Sequence, residues 1–391
     1  RKPGVVGERD IGALTVCTES TRHQHNQQEH TMIQSALIVL VVALANVEFS
    51  SAQTSGCGRS PPQQTGRTTV VYLSNGGANR FYRIRVPPGY NSDGPTPIVF
   101  SFHGWGSSAS FNEGYMGLTK TADSNGFIAV YPEGMSDYGR ESNNGWQSFN
   151  AVGSTTTLGN ECTSRTTGYC YQSCSRRAQG CGRCDWTTCY DDGAFVEAIL
   201  DSIESNYCID KKRVFATGYS NGGMMAYEVG LRLGERFAAV VPGGGTPFVG
   251  HNQAPEVSRN GAVSVLDLHG TRDTTCPANT TTSSDGWNYE PVDNVMRVWA
   301  SAHGCSGAGT ITKFNTPQDG QTQLWCVKFG SCASGVDFVR CSYNLAHHWL
   351  GYNTNGGAGA SLAWEFFKNH PKLDTDELAA RNNASGLVKE A

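Results

Sequence analysis

The chain has 391 residues, of which only 16% are charged, with 30 lysines and arginines against 34 aspartates and glutamates. A formal net charge of -4 provides no basic surface to neutralise phosphates, which argues against a nucleic-acid-binding protein. The 47 glycines follow no fixed period, so collagen-like and solenoid architectures are excluded.

The N-terminal region has the pattern of a cleaved secretion signal. Met32 precedes an apolar run over 36–45, and the small residues Ser50 and Ala52 suit a cut after Ala52. The run is too short to span a bilayer comfortably, so a cleaved signal is favoured over an anchor. We interpret 1–31 as a disordered or upstream leader and 32–52 as the signal peptide.

Cysteine content supports export to an oxidising compartment. Fourteen cysteines are many for a cytosolic protein of this length, because thiols at this density are usually paired in disulfides. Cys17 precedes the predicted cleavage site, which leaves thirteen in the mature chain. An odd number predicts at least one cysteine that is unpaired or joined to another chain.

Strand-like and helix-like segments alternate after the signal. The segments 70–72 and 81–86 predict an antiparallel pair of strands. Six short apolar runs are typical of strands covered on both faces: 98–102, 127–131, 214–217, 237–241, 263–268 and 336–339. Helical patterns separate them, one capped by Asp192 and others over 222–233, 292–302 and 360–367. We expect an α/β fold, a mostly parallel sheet flanked by helices.

One segment, from about Gly153 to Cys189, does not follow this alternation. It has no periodicity and carries Cys162, Cys170, Cys174, Cys181, Cys184 and Cys189. Cys181-x-x-Cys184 has the spacing of zinc ligands, but disulfides are favoured in a secreted chain. We interpret 153–189 as a Cys-rich insertion that leaves the sheet at a strand's carboxyl end and shapes the substrate entrance.

The strongest motif is Gly218-Tyr219-Ser220-Asn221-Gly222-Gly223, between the strand that ends at Thr217 and a helix. A G-x-S-x-G sequence at a strand-to-helix junction predicts a nucleophile elbow, in which the serine occupies a strained turn. Ser220 is therefore the candidate nucleophile, and this placement disfavours the alternative of an ordinary turn serine.

A serine hydroxyl needs a base to take its proton and a carboxylate to orient that base. Hydrolases with such an elbow carry the acid and then the base after later strands. Asp273 follows the run over 263–268 and is the candidate acid, whereas Asp267 lies within that run. His347 and His348 follow the last run, and one of them is the candidate base.

The turn His103-Gly104-Trp105-Gly106 directly follows the strand over 98–102. Such a turn supplies one backbone N–H to the oxyanion of a tetrahedral intermediate, and the residue after the nucleophile supplies another. Trp105 and Asn221 are therefore the candidate oxyanion-hole residues. The complete set favours an ester hydrolase over a catalytically silent binding protein on the same scaffold.

At these residues the sequence resembles secreted feruloyl esterases and the related acetyl xylan esterases and polyhydroxybutyrate depolymerases. The resemblance spans about Cys57 to Phe367, apart from the insertion, and is carried by Ser55-Gly56-Cys57-Gly58, Tyr207-Cys208-Ile209-Asp210, Phe215 to Gly223, Leu268 to Asp273 and Trp364-Glu365-Phe366-Phe367. It implies an α/β-hydrolase fold. We assign the catalytic domain to 53–370 and a flexible tail to 371–391. The resemblance also implies a triad of Ser220, Asp273 and a histidine, and the small residue before His347 favours that histidine.

The function implied by this resemblance is hydrolysis of plant cell-wall esters, with a feruloyl esterase acting on xylan-linked hydroxycinnamate as the leading hypothesis. Polyhydroxybutyrate depolymerase and acetyl xylan esterase are the alternatives. The resemblance further implies a disulfide between Cys305 and Cys332. We expect no cofactor, no metal, no membrane contact after signal cleavage, and a monomer. Candidate substrate contacts are Trp186, Tyr219 and Trp349.

Overall fold

The computed structural model describes residues 54–136, 145–146, 190–249, 257, 261–284, 287–307, 310–315, 323–332, 335–352, 357–374 and 377. The predicted leader and signal peptide, the Cys-rich insertion with Trp186, and most of the predicted tail lie outside the described residues.

The described strands form one ten-stranded sheet. In chain order they are β1 (Thr68–Asn75), β2 (Ala78–Arg85), β3 (Thr96–Phe102), β4 (Ile128–Pro132), β5 (Ile209–Tyr219), β6 (Ala239–Gly243), β7 (Ser264–Gly270), β8 (Thr310–Asn315), β9 (Gln323–Lys328) and β10 (Phe338–Tyr343). Their spatial order is β1-β2-β4-β3-β5-β6-β7-β10-β9-β8. The six central strands run parallel, in the spatial order β4-β3-β5-β6-β7-β10. Antiparallel strands extend the sheet at both edges, β1 and β2 on one side and β9 and β8 on the other. The predicted α/β-hydrolase architecture is confirmed.

Helices cover both faces of this sheet. The described helices are α1 (Ala109–Tyr115), α2 (Leu118–Asn125), α3 (Asp192–Asn206), α4 (Asn221–Arg232), α5 (Val292–Ala302) and α6 (Gly357–Asn369). One buried cluster joins the sheet to α3, α4 and α5, and a second joins it to α1, α2 and α6. Successive residues such as Val99 and Phe100 of β3 belong to opposite clusters, which explains why the central strands are apolar throughout.

Within this part of the chain we find no helix whose length and apolar character would let it cross a bilayer.

The N-cap of α3 is Asp191, so the prediction of Asp192 was wrong by one residue. The Asp191 carboxylate accepts a hydrogen bond from the Ala194 backbone N–H at 3.0 Å. Asp192 is instead fully buried, 2.6 Å from the equally buried guanidinium of Arg80. Both aspartates suit a cap, and the buried arginine decides which of them points inward.

No pattern along the chain predicts β8, β9, α1 or α2. Strands β8 and β9 pair antiparallel with each other at the sheet edge, where continuous apolar runs are not required. Helices α1 and α2 have seven and eight residues, too few for a clear helical period. The sequence patterns that identify the central strands therefore do not identify short helices or edge strands.

Three disulfides lie among the described residues: Cys57–Cys208, Cys305–Cys332 and Cys326–Cys341. The Cys305–Cys332 pair implied by the family resemblance is confirmed. The third pair joins neighbouring strands β9 and β10. Cys276 is a buried thiol.

Candidate active site

The predicted catalytic residues meet at one edge of the sheet, beyond the carboxyl ends of the parallel strands. Ser220 follows β5, Asp273 follows β7 and His347 follows β10. Trp105 lies in the turn after β3, which pairs with β5 in the sheet. Ligands of open α/β sheets bind at this edge, so the topology places these residues at the edge of the sheet where a substrate would bind.

Ser220 occupies the sharp turn between β5 and α4. Its φ of 57° is the only positive φ of a non-glycine residue among the described residues. The neighbouring glycines are required by space: a Cβ on Gly218 would lie 2.1 Å from the Gly222 carbonyl oxygen, and a Cβ on Gly222 would lie 2.1 Å from the Phe102 carbonyl oxygen. The close approach of β3, β5 and α4 thus holds Ser220 in a strained conformation, as a nucleophile elbow does.

Ser220, His347 and Asp273 form one hydrogen-bonded chain. The Nδ1 atom of His347 is 2.7 Å from Oδ2 of Asp273, and its Nε2 atom is 2.9 Å from Oγ of Ser220. A carboxylate only accepts hydrogen bonds, so Nδ1 carries the proton and the unprotonated Nε2 accepts from the Ser220 hydroxyl. This tautomer allows His347 to take the hydroxyl proton.

Contacts between the loops after β7 and β10 bring Asp273 close to His347. The Thr271 backbone N–H donates to the Tyr343 carbonyl oxygen at 2.8 Å, and the Arg272 N–H donates to the Leu345 carbonyl oxygen at 2.9 Å. A Cβ on Gly270 would lie 2.4 Å from the Leu345 oxygen, so glycine permits this approach. The main chain therefore fixes the separation of the two loops independently of the side chains.

The Asp273 carboxylate is held ionised. Burial by itself would raise its pKa, but the imidazole groups of His269 and His347 outweigh burial and hold the pKa well below its ordinary value. Its Oδ1 atom also accepts hydrogen bonds from the backbone N–H groups of Thr275 and Cys276, both at 2.9 Å. Hydrogen bonds to the charged form favour that form, so Asp273 is fixed as an acceptor for His347.

The candidate oxyanion turn is held by a buried neutral histidine, His103. Its Nε2 atom accepts from the Gly134 N–H at 2.9 Å, and Nδ1 donates to the Gly104 carbonyl oxygen at 2.7 Å. Burial lowers the pKa of His103 to about 4, so the ring stays neutral near pH 7. A Cβ on Gly104 would lie 3.5 Å from Cβ of Ser220, which shows how closely this turn packs against the elbow.

Asn221 starts α4, directly after Ser220, so its backbone N–H has no carbonyl acceptor within the helix. Its fully buried side chain accepts a hydrogen bond from the Trp146 backbone N–H at 2.8 Å. The Trp146 indole N–H in turn donates to the His103 carbonyl oxygen at 2.8 Å. Trp146 thereby ties the turn after β3 to the elbow.

Sequence reasoning missed Trp146 altogether and assigned no role to His103 or His269. Trp146 lies in a glycine- and asparagine-rich segment with no period or motif to mark it. His103 and His269 do stand within the HGWG and LHGTRD motifs. Their position at strand ends was the available signal, but it does not reveal burial or hydrogen-bond partners.

The three residues predicted to contact substrate differ in where the structure places them. Trp349 is fully buried, and its indole fills the space over Gly243 and Gly359, so the prediction that it contacts substrate was wrong. Its apolar neighbours in the second core cluster explain why it faces inward. Tyr219 stays at the site, with its ring centroid 5.1 Å from that of His347. Trp186 lies outside the described residues.

Tyr219 begins a row of aromatic rings that leads from the candidate base to the surface. Its centroid is 5.6 Å from that of Tyr115, which is 5.4 Å from the stacked ring of Phe111. The Phe111 side chain is 61% exposed. Phe111, two rings away from His347, thus offers an exposed aromatic face on which a planar acyl group or a sugar ring can stack.

Comparison with known proteins shows similarity to ester hydrolases. The chain is 24% identical over 343 residues to a probable feruloyl esterase C of Aspergillus niger, covering 86% of this chain and 99% of the relative. It is 24% identical over 271 residues to a bifunctional acetylxylan esterase/xylanase of Neocallimastix patriciarum, covering 69% of this chain and 31% of the relative. A solved acetyl xylan esterase from Aspergillus awamori superposes on 75% of this chain and 99% of its own, with a TM-score of 0.48 and 16% identity. No family model matches the sequence.

Proposed function

We propose that this chain, a carboxylic-ester hydrolase with the α/β-hydrolase fold, is a secreted feruloyl esterase that releases hydroxycinnamate from xylan. The observation that carries the proposal is the hydrogen-bonded chain from Ser220 through His347 to Asp273 at the carboxyl edge of the sheet. A nucleophile, a base and an orienting acid in this arrangement are suited to acyl transfer.

In the proposed mechanism, Oγ of Ser220 attacks the ester carbonyl carbon while Nε2 of His347 takes the hydroxyl proton. Asp273 accepts the Nδ1–H bond and stabilises the imidazolium that forms. The backbone N–H groups of Trp105 and Asn221 bind the negative oxygen of the tetrahedral intermediate.

Collapse of that intermediate breaks the ester C–O bond. His347 gives its proton to the departing sugar oxygen, which leaves as a hydroxyl, and the acyl group stays on Ser220. Water then enters, loses a proton to His347 and attacks the acyl-enzyme through a second tetrahedral intermediate. Release of the carboxylic acid returns the proton to Ser220 and restores the starting state.

Two observations support a hydroxycinnamate ester as the substrate. The Aspergillus relative, which matches this chain over 99% of its own length, is named a probable feruloyl esterase. The rings of Tyr219, Tyr115 and Phe111 lead from His347 to the surface and suit an aromatic acyl group. The N-terminal signal pattern and the disulfides support secretion.

Acetyl xylan esterase is the second candidate function. The Neocallimastix relative, named a bifunctional acetylxylan esterase/xylanase, is the observation that favours it. Both functions use the same acyl-transfer chemistry with a sugar oxygen as the leaving group, and they differ in the size of the acyl group. Acyl-group preference therefore decides between them.

The test compares initial rates on methyl ferulate and on acetylated xylan for the wild type and for Ser220→Ala. We expect methyl ferulate to give the higher kcat/KM, and Ser220→Ala to lower kcat by about 10⁴-fold or more. A higher kcat/KM on acetylated xylan favours the second candidate. Turnover that survives Ser220→Ala at most of the wild-type kcat contradicts the mechanism.

A further inference from the structure

A second histidine lies behind the candidate acid. His269 is the penultimate residue of β7 and is fully buried. Its Nε2 atom is 2.7 Å from the Cys276 carbonyl oxygen and 3.6 Å from Oδ2 of Asp273, the oxygen that also bonds His347. On the other side of the ring, Nδ1 is 3.3 Å from Oδ1 of Asp267. The imidazole therefore lies between two carboxylates.

The hydrogen-bond partners on both sides of the His269 ring suit an imidazolium. A carbonyl oxygen only accepts, so Nε2 carries a proton towards Cys276. Oδ2 of Asp267 receives the Tyr227 hydroxyl at 2.8 Å. An ionised Asp267 accepts Nδ1–H at its Oδ1, which gives a ring with both nitrogens protonated. Burial by itself lowers the pKa of His269, but Asp267 and Asp273 outweigh burial and raise it to about 9.

The other groups around His269 do not replace this charge. Tyr227 of α4 and Tyr343 of β10 stay neutral, since burial raises the pKa of each well above its ordinary value. Arg340 of β10, opposite Asp267 in the strand register, is bound to Asp293 of α5 at 2.6 Å. The imidazolium of His269 is thus the cation in contact with both Asp267 and Asp273.

We propose that His269 is a positioning residue for the esterase: as a buried imidazolium between Asp267 and Asp273, it holds the Asp273 carboxylate ionised and oriented towards His347. This inference rests on the proposed function of Ser220, His347 and Asp273. Asp267, inside the strand, then acts one step further back by keeping His269 charged.

Two variants separate this role from a merely structural one. His269→Gln keeps a hydrogen-bond donor for the Cys276 carbonyl but removes the positive charge. Asp267→Asn conserves side-chain volume and removes the carboxylate that keeps His269 protonated. Both are compared with the wild type and Ser220→Ala on p-nitrophenyl acetate, and circular dichroism establishes that each is folded.

For His269→Gln we expect kcat to fall about 10- to 100-fold with KM changed less than twofold. The acid limb of the kcat/KM profile should move to higher pH, because loss of the cation beside Asp273 favours the protonated form of the site. Asp267→Asn should shift the limb in the same direction by a smaller amount. An unshifted acid limb in both variants, even with reduced kcat, overturns the inference in favour of a structural role.

A second measurement does not depend on turnover. In ¹H–¹⁵N spectra of the protein, one histidine signal set should keep the positions of an imidazolium up to pH 8 and disappear in His269→Gln. A neutral imidazole at pH 7 would overturn the inference. If the Ser220→Ala variant retained the esterase activity of the wild type, that result would instead contradict the proposed function. Failure of the inference about His269 and failure of the proposed function therefore give different results.

Discussion

Mild acid should destabilise the folded chain through His103, the histidine that holds the turn after β3. Its ring is fully buried and accepts the Gly134 N–H at 2.9 Å, which a protonated Nε2 cannot do. Burial lowers its pKa to about 4, from 6.5 in the unfolded chain. The unfolded chain therefore binds this proton first as the pH falls.

The sign and size of the change in unfolding free energy follow from the difference between the two pKa values of His103. Because the folded-state pKa is the lower one, the stability that His103 contributes is fully present above pH 6.5 and is lost as the pH falls towards 4. Between pH 7 and pH 5 the loss amounts to about 2 kcal/mol of unfolding free energy. His269, with its raised pKa, changes stability in the opposite direction over this range.

The assay is urea denaturation of the wild type and of His103→Gln at pH 7 and pH 5. Glutamine retains an acceptor for the Gly134 N–H but does not titrate, and the contribution of His269 is common to both proteins. The wild type should lose about 2 kcal/mol relative to the variant between the two pH values. Equal pH dependence of the two proteins would refute the assignment of His103 as a buried neutral ring.

Two further pairs of substitutions test the site and the elbow. His347→Ala should lower kcat on p-nitrophenyl acetate by about 10³-fold or more, whereas His348→Ala should retain most of the wild-type kcat; the reverse result would show that the other histidine is the base. Gly222→Ala should lower the unfolding free energy in urea by about 3 kcal/mol or more, because its Cβ would lie 2.1 Å from the Phe102 carbonyl oxygen. Gly114→Ala is the matched control, since a Cβ there has no neighbour within 4 Å, and equal stability of the two variants would contradict the reasoning.

The elbow could be predicted from sequence because its requirements are local. A strand, two glycines around a serine and a following helix are all contained within a few residues, and the glycines mark where backbones approach closely. The direction in which a side chain points was harder to predict from sequence. Trp349 stands beside His347 and His348 in the sequence, yet the packing of α6 against the sheet turns its indole into the core.

The sequence by itself determined the parallel sheet, the strand ends that carry the site and the position of Ser220, because apolar runs and the G-x-S-x-G motif are read along the chain. Tertiary structure decided which histidine bonds Ser220, since His347 is 127 residues from the serine and 74 from Asp273 along the chain. It also decided that His103 is neutral and His269 charged. Both are buried histidines at strand ends, and only the partners that the folded chain brings to each ring set its protonation.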